Sequence, residues 1–579
     1  MAASPKRLPL VVGLDFGTTF SGASWYLCDD ESDEPQDPEV IRDWDTDRSN
    51  THEAQKVPSK IYYDVLTDDI YWGYEIPDDV EPFEWFKLLL LEQEDLQAHL
   101  RDSFHLRAAR RKLKDSGKTA VEIVGDYLGK LWSHVLMKIM KTEGAIIDAV
   151  PFHVVLTVPA IWKDYTRDRM RLAAKRAGIM KNRAAGPTVV SFISEPEAAA
   201  FATTHEHRRR GNLKAGDTFV VVDAGGGTVD VISYKIEVPK PLVVTECVEG
   251  DGDLCGASFV DEKFEARMIR EISLPTWKSL SRPQITAIMK ENWEDRIKRK
   301  FDGSTKSWTI QLPSPLTQRD PTLTAHDIEQ LFSAVLPKIR KLVKDQLREI
   351  LTKTAKHPKF IILVGGFGRS AYLYKCLKEW LGDRPTELLE SKDAWSAICR
   401  GATLSGAMSQ GLVKQTVQVR SRIARASYGW CYATNFIEGV HDKRDKRWDE
   451  YDGEWVAWKQ MTWAVKRGDD ISTRSSKSES IYHQFDCKKR GIQSRTTEIY
   501  VCHDERAPSR QDKCVQLFAS VSWKTPVPVE TLPLGRGAGI PHYRFTLDFK
   551  MEVSGAAADF FISHNGIQLA SKNISVAHE

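Results

Sequence analysis

Two stretches decide the fold: Leu10-Val11-Val12-Gly13-Leu14-Asp15-Phe16-Gly17-Thr18-Thr19 and Phe219-Val220-Val221-Val222-Asp223-Ala224-Gly225-Gly226-Gly227-Thr228. Each is an apolar run of strand length that ends in an aspartate and a Gly/Thr turn. Each resumes as a second strand, Ser21 to Tyr26 and Val229 to Tyr234. The aspartates lie 208 residues apart (223 minus 15), and the recurrence predicts an internal duplication of a lobe. Ending a buried strand in a carboxylate costs desolvation unless the group is used or bonded. Glycine-rich turns at the carboxyl edge of a sheet expose backbone N–H groups that hold phosphate oxygens, and threonine adds a hydroxyl donor. A carboxylate on the same edge suits hydrated Mg²⁺, which prefers oxygen ligands. One such turn alone is more often a plain hairpin; the weight comes from the pair.

Outward from these turns, the pattern alternates buried strands with amphipathic helices. Thr119 to Lys141 has apolar residues at three- and four-residue spacing, which predicts a helix. Val154 to Ala160 and Val189 to Ile193 read as strands, and the latter runs through Ser194-Glu195-Pro196 into an alanine-rich helix with proline at its favoured first turn. Arg208-Arg209-Arg210-Gly211 is a hydrophilic joint. Thr324 opens a long helix to about Leu351 that Pro337 should kink. Phe360 to Val364 is a strand entering Gly365-Gly366-Phe367-Gly368-Arg369, with a helix from Ala371. From about residue 412 period-two alternation takes over, as in Thr497 to Val501, Val515 to Val521 and Tyr543 to Phe549, and predicts an antiparallel β-domain.

The chain has 579 residues, 41% hydrophobic and 28% charged, enough apolar material for several cores and unlike a disordered chain. Its net charge of +2 gives no bulk attraction to nucleic acid or membrane. No apolar run reaches the ~18 residues of a bilayer span. Nine scattered cysteines without a Cys-x-x-Cys pair fit a reduced compartment, cytoplasmic or nuclear, rather than a zinc ribbon. Gly117-Lys118-Thr119 lacks the glycine a Walker loop needs, Gly535 to Gly539 does not join a strand to a helix, and His205-Glu206-His207 reads as a solvated cluster.

Taken together, the motifs resemble the superfamily of actin, sugar-kinase and seventy-kilodalton heat-shock ATPases. Gly13 to Thr19 resembles its first phosphate motif, Val222 to Asp230 its second and Leu363 to Arg369 its adenosine motif. Thr157-Val158-Pro159-Ala160, Ser194 to Ala200 and Gly250 to Phe259 resemble segments of the heat-shock branch, in family order over residues 8 to 410. The resemblance implies a two-lobed actin-like (ribonuclease H-like) α/β fold followed by a β-rich domain. Lobe I would span 8–205, completed by about 386–411, lobe II 211–385, and a degenerate β-sandwich 412–579. It implies ATP or ADP with Mg²⁺. Gly17, Thr18, Thr19, Gly225, Gly226, Gly227 and Thr228 would cradle the phosphates, with Gly256 nearby. Asp15 and Asp223 would hold the hydrated metal, Lys87 would contact phosphate, and Glu195 would place the attacking water. Asp295, Lys298 and Arg299, on one face of an α-helix by their spacing, would clasp the adenosine, and Gly365, Gly366 and Arg369 would close over the adenine.

This sequence departs from the family at Cys255 (a glycine there), Phe367 (a small polar residue beside the adenine), Asp302 (a serine) and Trp395 (an aspartate). These departures resemble the divergent member-twelve-like branch. The linker Leu412 to Arg420 is basic where the family's is acidic and leucine-rich, and no helical lid follows. Three readings stand: a slowly hydrolysing chaperone-like ATPase with unfolded or specific protein clients, a nucleotide-gated adaptor with negligible turnover, and a small-molecule kinase.

Overall fold

The protein's computed structural model describes residues 9–575 apart from 28–36, 45–53, 97–100, 102, 160, 161, 163, 208–212, 241, 315, 317–319, 392, 413–416, 473, 474, 536, 555 and 556. The joint at Arg208-Arg209-Arg210-Gly211, Ala160 and the middle of the basic linker lie outside the described residues. The chain forms two units: residues 1–244 with 250–418, and residues 419–579 with 245–249.

The first unit holds two sheets of matching design. In one, Glu39–Val40, Phe20–Tyr26, Leu10–Phe16, Phe152–Val158 and Val189–Ser194 lie side by side in that order. In the other the order is Leu242–Asp253, Val229–Pro239, Thr218–Ala224, Phe360–Val364 and Glu387–Glu390. Counted along the chain, both run third, second, first, fourth, fifth. In both the first two strands form an antiparallel hairpin, and the fourth and fifth run parallel to the first. The duplication seen only in the motifs therefore extends to five strands of each sheet. The strands Leu10–Phe16, Phe152–Val158 and Thr218–Ala224 are buried along their full length, as the continuous apolar runs of parallel sheets require.

The helix Ala397–Ser409 returns to the first sheet. A Cβ at Gly401 would lie 1.6 Å from the Ala198 carbonyl oxygen, and one at Gly13 would lie 2.4 Å from that of Cys399. Only glycine permits these approaches, so the helix seats directly on Glu195–His207 and on Leu10–Phe16. The expected start of this return at about residue 386 is corrected: Glu387–Glu390 extends the second sheet beside Phe360–Val364, and the crossing follows it. Pro337 also does more than kink a helix. The chain breaks into Ala325–Phe332 and Leu336–Thr354, with the proline in the opening turn of the second, where its missing N–H leaves nothing unsatisfied. The helix that the apolar spacing predicts from Thr119 is Ala120–Glu143, and a Thr119–Glu122 capping box starts it.

In the second unit two antiparallel sheets, of five and four strands, carry Ser427–Asn435, Glu454–Val465, Ser494–Cys502 and Val515–Lys524 in one and Ser475–Asp486, His542–Ser554, Ala557–His564 and Ile567–Ser575 in the other. Trp430, Ile499 and Trp523 from one sheet share a buried core with Phe545, Phe549 and Ile562 from the other, as in a β-sandwich. Within this unit Arg425 and the amide of Ile423 both bond the buried Glu246 carboxylate.

Candidate functional site

The two acid-headed hairpins meet turn to turn. Asp15 pairs in register with Gly22, and Asp223 with Asp230, so both loops have the same length and present the same backbone positions. A Cβ at Gly226 would fall 2.0 Å from Thr19 Oγ1, and one at Gly227 3.0 Å from Thr18 Cγ2. Gly225 N–H donates to the Thr228 carbonyl (2.9 Å), and the amides of Gly256, Ala257 and Ser258 donate to the carbonyls of Gly227, Gly225 and Gly226 at 3.0, 3.2 and 2.9 Å. The Gly250 to Phe259 segment thus props the second turn from behind, and a Cβ at Gly256 would collide with Gly226. Gly17, Thr18, Thr19 and Gly225 to Thr228 are therefore brought to one place.

Lobe I supplies most of the charge. Lys87 and Glu195 form a buried pair at 2.5 Å with side chains 1% and 7% exposed. Trp85 adopts φ 61° just before the short turn Phe86–Leu90, a left-handed conformation that costs energy outside glycine, and Lys87 Nζ lies over the Phe16 and Trp162 rings at 5.6 and 5.2 Å. Glu195 opens the helix Glu195–His207, where the helix dipole favours an anion. Burial pushes its carboxyl up, the Lys87 ammonium opposes this and Asp15 adds to it; the net shift is upward. Asp15 is engaged at both oxygens: Lys56 Nζ donates to Oδ2 (2.5 Å) and Thr157 Oγ1 to Oδ1 (3.0 Å). The same edge is fixed by Ser59, whose hydroxyl donates to the Gly17 carbonyl (2.7 Å) and whose amide donates to that of Thr19 (2.8 Å).

Lobe II presents unneutralised acid. Asp223 is 3% exposed, and its Oδ1 has no hydrogen-bond partner among the described residues. Burial, then the charges of Glu195 and Asp230, hold its carboxyl well above the usual range. Burial and Glu195 push Asp230 up to about 8, against the Thr228 hydroxyl. A buried, unpartnered carboxylate oxygen is expensive to maintain, and a cation with its waters is the chemistry that would satisfy it.

On the adenosine side the outcome is mixed. Gly365 takes φ +86°, and a Cβ there would sit 2.5 Å from Asp223 Oδ1, so this glycine abuts the acid itself. Gly366 and Arg369 are exposed and border Trp395: a Cβ at Gly366 would be 3.4 Å from its Nε1, and Arg369 lies over its ring at 5.6 Å. Trp395 also meets Phe20 edge to face at 5.7 Å. Phe367, expected beside the adenine, is instead buried and packs on Phe332 at 6.1 Å; its bulk belongs to the core. Asp295, Lys298 and Arg299 do not share an α-helical face, because Ala287–Lys298 is a π-helix with a wider turn. Lys298 is buried and bonded to both oxygens of Asp261 (2.7 and 2.9 Å) and to Glu294, while Asp295 and Arg299 pair with each other at the surface. Cys255 is buried, and Asp302 is exposed and caps the amide of Ser304.

The residues brought together, glycine-turn amides and threonine hydroxyls in contact at Gly226 and Gly227, are of the kind that hold phosphate oxygens. Mg²⁺ fits at Asp223; Asp15 already accepts one hydrogen bond at each oxygen, from Lys56 and Thr157. Lys56 and Asp230 escaped the sequence reading. Asp230 lay inside the quoted motif, and its register opposite Asp223 was the available signal; nothing in Gln55-Lys56-Val57-Pro58 marks Lys56. The other motifs have structural explanations: Gly117 and Thr119 cap successive helices, and Glu206 bonds Ser391 and Arg400.

Comparison with known proteins points the same way. The family model described as Hsp70 protein matches residues 112–434, and one described as Domain of unknown function (DUF8568) matches residues 422–534. The chain is 24% identical over 514 residues to the mouse heat shock 70 kDa protein 12A, covering 75% of this chain and 73% of that protein. It is 24% identical over 524 residues to the human heat shock 70 kDa protein 12B, covering 76% and 74%. It is 28% identical over 339 residues to the chaperone protein DnaK of Thermoplasma volcanium, covering 57% and 52%.

Proposed function

We propose, from the premise that this chain belongs to the Hsp70 family, that it binds ATP between its two hairpin turns and hydrolyses it slowly with Mg²⁺, coupling the cycle to protein binding. The observation that carries this reading is the contact of Gly226 and Gly227 with Thr19 and Thr18 beside the unpartnered Asp223 Oδ1. Phosphoryl transfer to water needs mainly positioning and charge neutralisation. The turn amides and the threonines bind the phosphates, Lys87 supplies a cation, and Glu195 at the head of its helix orients water. The metal, when bound at Asp223, would neutralise charge on the phosphates. Trp395 and Arg369 form a face against which a base can stack.

A protein client is proposed for the second unit, where Trp448, Trp455 and Trp458 are 51%, 50% and 46% exposed. Exposed aromatic groups of this kind mark interaction surfaces. The cysteine usage, with the eight described thiols all free, supports a cytoplasmic or nuclear setting. The adaptor reading, binding without turnover, draws on one feature: Asp15 is already neutralised by Lys56. The kinase reading has no such support. Phosphate release at saturating Mg-ATP is compared for the wild type, Glu195→Ala and Thr228→Ala. A loss on the order of 10²-fold in the variants is expected; equal rates in all three proteins remove hydrolysis and leave the adaptor.

A further inference from the structure

The two hairpins differ in the residue that faces the acid. Opposite Asp223 stands Asp230, a second acid; opposite Asp15 stands Gly22. The space that Gly22 leaves is filled by the stem of Lys56, since a Cβ at Gly22 would lie 3.0 Å from Lys56 Cγ and 3.3 Å from its Cε. Lys56 is 5% exposed, and its Nζ reaches Asp15 Oδ2 at 2.5 Å. Its backbone is held as well: the Tyr74 hydroxyl donates to its carbonyl at 3.1 Å, and the next residues, Val57–Pro58, pair with Phe20 and Ser21 at the foot of the first turn. An ammonium has three donors. Among the described residues one is used, by Asp15.

Resting on the nucleotide-binding reading above, we propose that Lys56 is a resident cation of the phosphate site, which neutralises Asp15 in place of a divalent metal and donates to the nucleotide's phosphates, so that binding depends only weakly on Mg²⁺. The position is built for this purpose by Gly22, Tyr74 and the short strand after it. At 2.5 Å from the Asp15 carboxylate, the lysine is held in a buried ion pair. The metal's remaining place is at Asp223, on the opposite turn.

The test is calorimetric titration of the full chain with ATP, in EDTA and in excess Mg²⁺. Wild type is expected to bind in both buffers, with affinities within about threefold, because the lost metal contact is worth little when an ammonium is already in place. Lys56→Met, which keeps the stem and removes the charge, is expected to lose about ten- to a hundredfold in EDTA and much less in Mg²⁺, and Lys56→Arg to recover part of the loss in EDTA. A melting curve shows whether Lys56→Met folds. If it does not, the wild-type comparison still decides. Wild-type binding in Mg²⁺ that falls by more than about a hundredfold in EDTA overturns the role of Lys56 and leaves nucleotide binding intact. Absence of binding in both buffers removes the nucleotide reading itself.

Discussion

Gly226→Ala probes the meeting of the two turns. The glycine is not in a left-handed conformation, so alanine suits its backbone and by itself stiffens the unfolded chain, a stabilisation of about 0.4–1 kcal/mol. Any loss is therefore steric. The new Cβ would stand 2.0 Å from Thr19 Oγ1, 2.8 Å from its Cγ2 and 2.9 Å from its Cβ. Rotating Thr19 relieves the first two contacts but not the third, so one turn must move. Such overpacking costs about 1–3 kcal/mol, and if the shift opens the cradle, ATP affinity falls by about tenfold to a hundredfold. The assay is a double-mutant cycle with Thr19→Gly, read by calorimetric ATP binding and by urea unfolding. Thr19→Gly removes the obstructing atoms, so the double variant should be more stable than the sum of the single effects by about 1 kcal/mol or more. Additive effects, with Gly226→Ala binding ATP like wild type, would refute the facing geometry.

Four further outcomes follow from the same contacts. Lys87→Met strands the buried Glu195 charge and should cost about 3–5 kcal/mol in urea unfolding, with recovery of much of that in Lys87→Met/Glu195→Gln. Lys298→Ala should destabilise the chain through Asp261 and Glu294, whereas Asp295→Ala, at the surface, should stay within about 0.5 kcal/mol of wild type. Asp230 has a folded pKa of about 8, above its ordinary 3.8, so the folded metal-free chain keeps a proton that the unfolded chain releases. Its stability should fall as pH rises from about 4 to about 8 and then level off, and Asp230→Asn should flatten that melting-temperature profile. Trp448→Ala/Trp455→Ala should weaken capture of an unfolded peptide without changing ATP affinity; an unchanged peptide signal would move client binding away from this surface.

The parts of this account that were legible in the sequence are those with a strong local rule. A run such as Phe219 to Val222 followed by Asp223 and three glycines admits few folds, and its repeat 208 residues from Asp15 supplied the second lobe. The capping box at Thr324 and the alternation after residue 412 were similarly readable. What stayed hidden depends on partners distant in the chain. Lys56 sits in an unremarkable stretch and gains its meaning only from Gly22 and Asp15. Lys298 looks like a surface cation at α-helical spacing, but the π-helix turns it onto Asp261. Phe367 follows two glycines of a nucleotide motif, yet its ring is held by Phe332. Glu387–Glu390 is too short for its alternation to declare which sheet it joins.

The central claim is that Asp15 and Asp223 head two turns that together hold an adenine nucleotide. It is tested most directly by calorimetric titration of the purified full chain with Mg-ATP, alongside Gly365→Ala, which places a Cβ 2.5 Å from Asp223 Oδ1 in a strained backbone position. The account requires saturable binding of one nucleotide per chain to the wild type and a loss of at least about tenfold in the variant. A flat titration of the folded wild type with both ATP and ADP would contradict it.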